Sequence, residues 1–77
     1  MSTVSLNQMQ VGQSGKVEEL TGQDAICLRL LEMGVTKGAD IQVVRFAPLG
    51  DPIDVKIRGY HLSLRRQEAQ VIRVLLP

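Results

Sequence analysis

At 77 residues the chain is sized for one domain, which buries only a modest fraction of its surface and is marginally stable alone. It is 44% hydrophobic and 22% charged, a globular rather than disordered composition, and Phe46 and Tyr60 are its only aromatics, so the core is aliphatic. Nine basic residues against eight acidic ones leave a net charge of +1, which argues against a dedicated nucleic-acid binder and leaves self-association into a homo-oligomer open.

The opening MSTVSLNQMQ has neither a basic leading region nor an apolar stretch, so it does not read as a signal peptide. An apolar entry at Leu6 leads into a turn from Asn7 to Gly15, punctuated by Gly12 and Gly15. Residues 15 to 20, GKVEEL, read as the first strand. Thr21-Gly22-Gln23-Asp24 resembles a helix start, with Thr21 as the cap and Asp24 as the reciprocal acid, which also suits the positive end of the helix dipole. The helix is predicted over 23 to 33. Ile26, Leu30 and Met33 form one apolar stripe, widened by Cys27 and Leu31. Arg29 and Glu32 are spaced to pair on the solvent side. Gly34 stops the helix where a left-handed residue is wanted.

Lys37-Gly38 make the next turn, and residues 39 to 46, ADIQVVRF, form a β-branched strand. Ile41, Val43, Val44 and Phe46 break strict alternation, which predicts a bulge or a change of buried face. The loop Ala47 to Pro52 holds two prolines and so cannot be the middle of a central strand. Residues 53 to 58 alternate cleanly, with Ile53, Val55 and Ile57 inward and Asp54, Lys56 and Arg58 outward. Gly59 turns the chain, and Tyr60, Leu62 and Leu64 then alternate against His61, Ser63 and Arg65. A helical turn follows from Arg66 to Gln70, with Ala69 inward. The last strand, VIRVLL, sets Ile72, Val74 and Leu76 on one side.

Five strands with one inserted helix predict a mostly β fold: a small SH3-like antiparallel barrel, one domain over 1 to 77, with one α-helix and a short C-terminal helical turn. Closing the sheet removes exposed edges and gives the aliphatic residues a common interior. A single cysteine, Cys27, allows no intrachain disulfide and no paired-cysteine metal clasp, which fits a reducing compartment. No apolar run approaches the roughly twenty residues that a bilayer requires. The expectation is a soluble, cytoplasmic protein that meets a membrane only through a partner.

The run from Leu31 to Val74 resembles the FeoA family, the small cytosolic proteins of bacterial ferrous-iron uptake. Its most specific parts are Leu31-Glu32-Met33-Gly34, Ala47-Pro48-Leu49-Gly50-Asp51-Pro52, Arg58-Gly59-Tyr60 and Leu64-Arg65-Arg66, and the upstream VGQSGKVEELTG matches the family's opening pattern. The resemblance implies an SH3-like barrel with helical additions. It also implies an accessory protein that binds and modulates FeoB, a membrane transporter of ferrous iron, through its cytoplasmic part. It carries over no catalytic residue and no cofactor. The same domain occurs in iron-dependent repressors beside helix-turn-helix and metal-site domains; this sequence resembles the free-standing form, which is the expectation.

The residues can be weighed beside that resemblance. His61 is the lone histidine, a weak metal-ligand candidate because zinc and iron sites need three or four donors. Cys27 reads as a small buried hydrophobe. The acid pairs Glu18-Glu19 and Asp51-Asp54 read as solvated charge rather than acid/base machinery, which requires a pocket and a raised pKa. No phosphate-binding GxxxxGK[ST] motif is present. Lys56, Arg58, Arg65 and Arg66 form a basic group that could meet phosphates or an acidic protein surface, with Asp54 and Glu68 diluting it. The loop from Ala47 to Pro52, with Leu49 at its tip, is the best binding candidate, because small barrels work through loops. The predicted partner surface is therefore Leu49, Gly50 and Asp51, assisted by Arg58 and Arg65. The alternatives are a nucleic-acid-binding barrel, which the charge and the shortage of stacking aromatics oppose, and a transition-metal carrier or sensor, which the sparse ligand set opposes.

Overall fold

The computed structural model describes residues 2–22 and 24–77. In chain order it holds strand β1 (Ser2–Ser5), a 3₁₀ turn (Leu6–Gln8), strand β2 (Ser14–Leu20) and helix α1 (Ala25–Glu32). Strands β3 (Asp40–Phe46), β4 (Ile53–Ile57) and β5 (Tyr60–Leu64) follow, then helix α2 (Arg66–Gln70) and strand β6 (Ile72–Leu76). The strands form one antiparallel sheet in the order β1-β6-β2-β3-β4-β5. The class is the expected mostly β one, with one strand more than the alternation announces. That strand is β1, which pairs with β6 from Ser2 opposite Leu76 to Ser5 opposite Arg73. Ser2-Thr3-Val4-Ser5 offers a single apolar residue, too few for a periodic signal, and Val4 packs against the core only because β6 supplies a template.

Alternation builds the interior. Val17, Ile41, Val43, Ile53, Val55, Ile57, Leu64, Ile72 and Val74 line one face of the sheet, all of them buried. Leu30 of α1, Ala69 of α2 and Leu6 of the 3₁₀ turn cover that face. The expected irregularity in β3 is present: its register against β4 shifts between Val43 and Arg45, so Val44 leaves the inner row and is partly exposed. A second shift, between Val17 and Glu19 against β6, bends β2.

Helix α1 is shorter than the predicted 23 to 33 and is capped differently. Asp24 is its N-cap, with Oδ1 accepting from the backbone N–H groups of Ile26 at 3.1 Å and Cys27 at 3.3 Å. Asp24 immediately precedes the first helical residue, and a carboxylate there is among the best caps. Thr21 instead donates its N–H to the carbonyl of Val71 at 2.8 Å, fastening the end of β2 to the end of α2. The predicted first residue, Gln23, lies outside the described residues.

The C-terminus of α1 follows the expectation. Gly34 has φ +94°, its N–H donates to the carbonyl of Leu31 at 3.1 Å, and the Val35 N–H donates to that of Leu30 at 3.0 Å. This is a Schellman closure, completed by apolar contact where Val35 and Leu30 are both fully buried. Arg29 does not pair with Glu32; its Nη2 lies 3.8 Å from Oε2 of Glu68 on α2. Leu31 and Leu28 are exposed, so the buried stripe of α1 is narrower than predicted.

Candidate functional site

The loop between β3 and β4 is a tight turn held by its own backbone. The Gly50 N–H donates to the Ala47 carbonyl at 2.7 Å, and the Ala47 N–H donates to the Pro52 carbonyl at 3.0 Å. Gly50 adopts φ +82°, a conformation that a Cβ would oppose, which is why glycine follows the tip residue. Leu49 at the tip is 92% exposed. A leucine folded back on the barrel would be an ordinary packing residue, whereas this one offers its whole side chain to solvent.

Asp51 is held by the helix that follows β5. Its Oδ1 accepts from the backbone N–H of Arg66 at 3.2 Å, at the first turn of α2. Arg65 directly precedes that helix, and its N–H donates to Oε1 of Glu68 at 2.8 Å. Because Ile53 pairs with Leu64, the loop and Arg65 sit at the same end of the β4–β5 hairpin.

Arg58 does not join them. The other end of the hairpin is the turn after Ile57, opposite Tyr60, and strand rise puts that end roughly 14 Å from Ile53. The sequence grouping of Lys56 and Arg58 with Arg65 is corrected by this register: Lys56 faces His61 across the pair, and Arg65 lies beyond the last pair. Arg58 also has an intramolecular occupation. Its Nε donates to the Gly34 carbonyl at 3.2 Å and its Nη2 to Thr36 Oγ1. Tyr60 is a second correction: it is 42% exposed instead of lining the interior, because at the strand end it leaves the rim and donates its hydroxyl to the Met33 carbonyl.

On the outer face, Arg45, Asp54 and Ser63 stand in one row across three strands. Asp54 accepts from Ser63 Oγ at 2.5 Å and from Arg45 Nε at 2.6 Å. The Ser63 hydroxyl and then the Arg45 guanidinium hold the Asp54 carboxyl below its ordinary value of 3.8. A general acid needs the opposite shift. His61 is exposed on the same strand as Ser63. Among the described residues no three His, Cys, Asp or Glu side chains converge as a metal site would require.

A family model described as the FeoA domain matches residues 4–76. The chain belongs to the FeoA family. It is 38% identical over 71 residues to the Fe(2+) transport protein A/Fe(2+) transporter FeoB fusion protein of Porphyromonas gingivalis, a match spanning 92% of this chain and 8% of that protein. The chain thus spans under a tenth of that relative's length. The FeoA-like protein of Clostridium acetobutylicum superimposes with a TM-score of 0.91 at 33% identity, covering 99% of this chain and 88% of the other. FeoA of Stenotrophomonas maltophilia, solved in complex with zinc and described as an SH3-domain protein, gives a TM-score of 0.80 at 30% identity, covering 97% and 91%. These likenesses fix the barrel as SH3-like and the family as one involved in ferrous-iron transport.

In this FeoA domain the four most specific segments of the sequence signature fold into two locked pairs. Leu31 to Gly34 and Arg58 to Tyr60 are joined by the bonds of Arg58 to Gly34 and of Tyr60 to Met33. Ala47 to Pro52 and Leu64 to Arg66 are joined by Asp51 and the Arg66 N–H. Glu68, expected as a surface charge diluting the basic group, is corrected to a buried one. It is only 4% exposed, and its carboxylate serves Arg65 on one oxygen while facing Arg29 with the other. Its place three residues after Arg65, the N3 acid of a short helix, was the available signal.

Proposed function

We propose that this protein is a non-enzymatic accessory module of ferrous-iron uptake that docks on the cytoplasmic part of an FeoB-type transporter and modulates its assembly or activity. The observation that carries the reading is the fused architecture of the Porphyromonas gingivalis relative, in which FeoA and FeoB share one chain. Covalent linkage holds two partners at high effective concentration, a natural arrangement for modules that work together. No helix among the described residues is long and apolar enough to cross a membrane, which suits a role through a membrane-bound partner.

The contact surface proposed is Leu49 with Gly50 and Asp51, assisted by Arg65. An exposed apolar side chain on a rigid turn contributes binding at little entropic cost, and a neighbouring arginine adds steering toward an acidic surface. Arg58 contributes less directly, by fixing the far end of the hairpin that carries the loop. A pull-down against the purified cytoplasmic domain of FeoB tests the reading. Leu49→Ala and Arg65→Glu are each expected to weaken retention about tenfold, the effect of removing a moderate interface anchor. Retention equal to wild type in both variants removes these residues from the surface, and no retention of the wild-type protein removes the partner.

A further inference from the structure

We propose that the trough at the far end of the sheet from the Leu49 loop docks an extended peptide segment in which acidic and apolar side chains alternate. The trough occupies 680 Å³ where the ends of β2, β3, β4 and β6 converge. That volume falls in the range of about 300–1,000 Å³ typical of ligand sites, but the trough is more open than the sites that enclose small-molecule ligands. An open trough suits a chain lying along it.

Its charge selects the chain. The charged side chains on its walls are Lys16, Lys56, Arg58 and Asp40. Asp40 is already matched, with Oδ1 2.8 Å from Lys16 Nζ. Lys56 belongs to none of the ion pairs among the described residues. Arg58 is tethered through Nε and Nη2, so its charge stays at the rim and loses little freedom on binding. Lys56 and Arg58 therefore leave unmatched positive charge on the trough, Arg58 at a fixed position, which favours carboxylates.

Its floor selects the spacing. Leu75 and Leu76 line the trough and are only partly buried. Leu75 pairs with Lys16, whose charge Asp40 already answers, so the apolar surface of β6 lies across the trough from the unmatched cations Lys56 and Arg58 at the end of β4. An extended peptide sends successive side chains to opposite sides about every 3.3 Å, and alternating acid and leucine matches both surfaces at once. This docking is independent of the Leu49 surface, and the two can succeed or fail separately.

Titration of the isotope-labelled protein with an acetylated peptide of three Glu-Leu repeats tests the proposal, with amide shifts as the readout. The expected result is saturable shifts of residues 14–16, 40–42, 56–59 and 75–76, and no comparable shifts with three Lys-Leu repeats. Lys56→Glu and the milder Lys56→Gln change only an exposed strand position; Lys56→Glu is expected to weaken binding at least tenfold and Lys56→Gln by a smaller factor. Several results overturn the proposal: no shifts at millimolar peptide; shifts confined to residues 47–52; equal shifts with hexaglutamate, which would mark a plain anion surface; or wild-type affinity in both Lys56 variants. Shifts of the same amides on raising protein concentration without peptide assign the trough to a second copy of the chain, and likewise overturn it.

Discussion

Arg58 sits where glycine or asparagine is usual. Its φ is +49° and that of Gly59 is +86°, the pair of left-handed residues that a two-residue hairpin turn demands. For a residue with a Cβ that conformation costs about 1–2 kcal/mol. The guanidinium bonds to Gly34 and Thr36 offset it. Arg58→Ala keeps the strained backbone and loses both bonds, so a loss of about 1–2 kcal/mol in urea unfolding is expected. Arg58→Gly loses the bonds but relieves the strain, and should fall between the two. Stability of Arg58→Ala equal to wild type would show the tether to be idle. Asp54 makes a prediction in pH. Its folded pKa is lowered, so its bonds to Ser63 and Arg45 stabilise the fold fully above the ordinary value of 3.8 and are lost as pH falls through the folded value. Asp54→Asn should therefore reduce stability near neutral pH and narrow the difference between neutral and acid unfolding midpoints. Parallel pH profiles for variant and wild type would exclude the linkage. Sequence showed that Asp54 points outward. It could not show that Ser63 and Arg45 stand opposite it, because that depends on register across three strands.

Among elements, helix α1 ends with the most legible feature of the chain and the least legible contact. Gly34 as a stop is readable, since only a residue without Cβ takes φ +94° easily. The approach of Tyr60, 26 residues later, is not, because strand alternation counted Tyr60 as a wall residue and gives no information about the strand's end. An added Cβ at Gly34 would lie 2.5 Å from Tyr60 Oη. Gly34→Ala is thus penalised twice, by backbone conformation and by contact. Its cost should be smaller in a Tyr60→Phe background, which removes the oxygen but not the backbone term, and a double-mutant cycle by chemical denaturation reads the difference. Equal costs in the two backgrounds would leave only the backbone term. At the helix start, proximity decided against the sequence reading: both Thr21 and Asp24 can cap, and the one adjacent to Ala25 does so. β1 stayed invisible for a related reason, since a polar edge strand takes its identity from its neighbour, not from its own pattern.

For the whole molecule, the interior and the proposed contact surface were legible to different degrees. The inner faces of β4 and β6 follow from alternation alone, because a buried face imposes period two on any sequence that covers it. The proposed contact loop was found by its composition, but its separation from Arg58 emerged only from the length of the hairpin. Leu49 supports a clean test of that separation between folding and function. With 92% of its surface exposed, Leu49→Ser should leave stability within about 0.5 kcal/mol of wild type while weakening transporter capture. A large loss of stability would instead make Leu49 a folding residue.

The pairing of β1 with β6 sets Ser2 directly opposite Leu76. The sheet can consequently be rewired without being rebuilt. A short flexible linker from the last strand to the first, with new ends opened between Leu49 and Gly50, would give a circular permutant that retains every strand pairing and interrupts only the exposed turn. Such a permutant separates two demands that the natural chain order merges: the barrel needs its strands, and the proposed contact needs an unbroken loop. It should fold as the parent does and yet capture the transporter poorly.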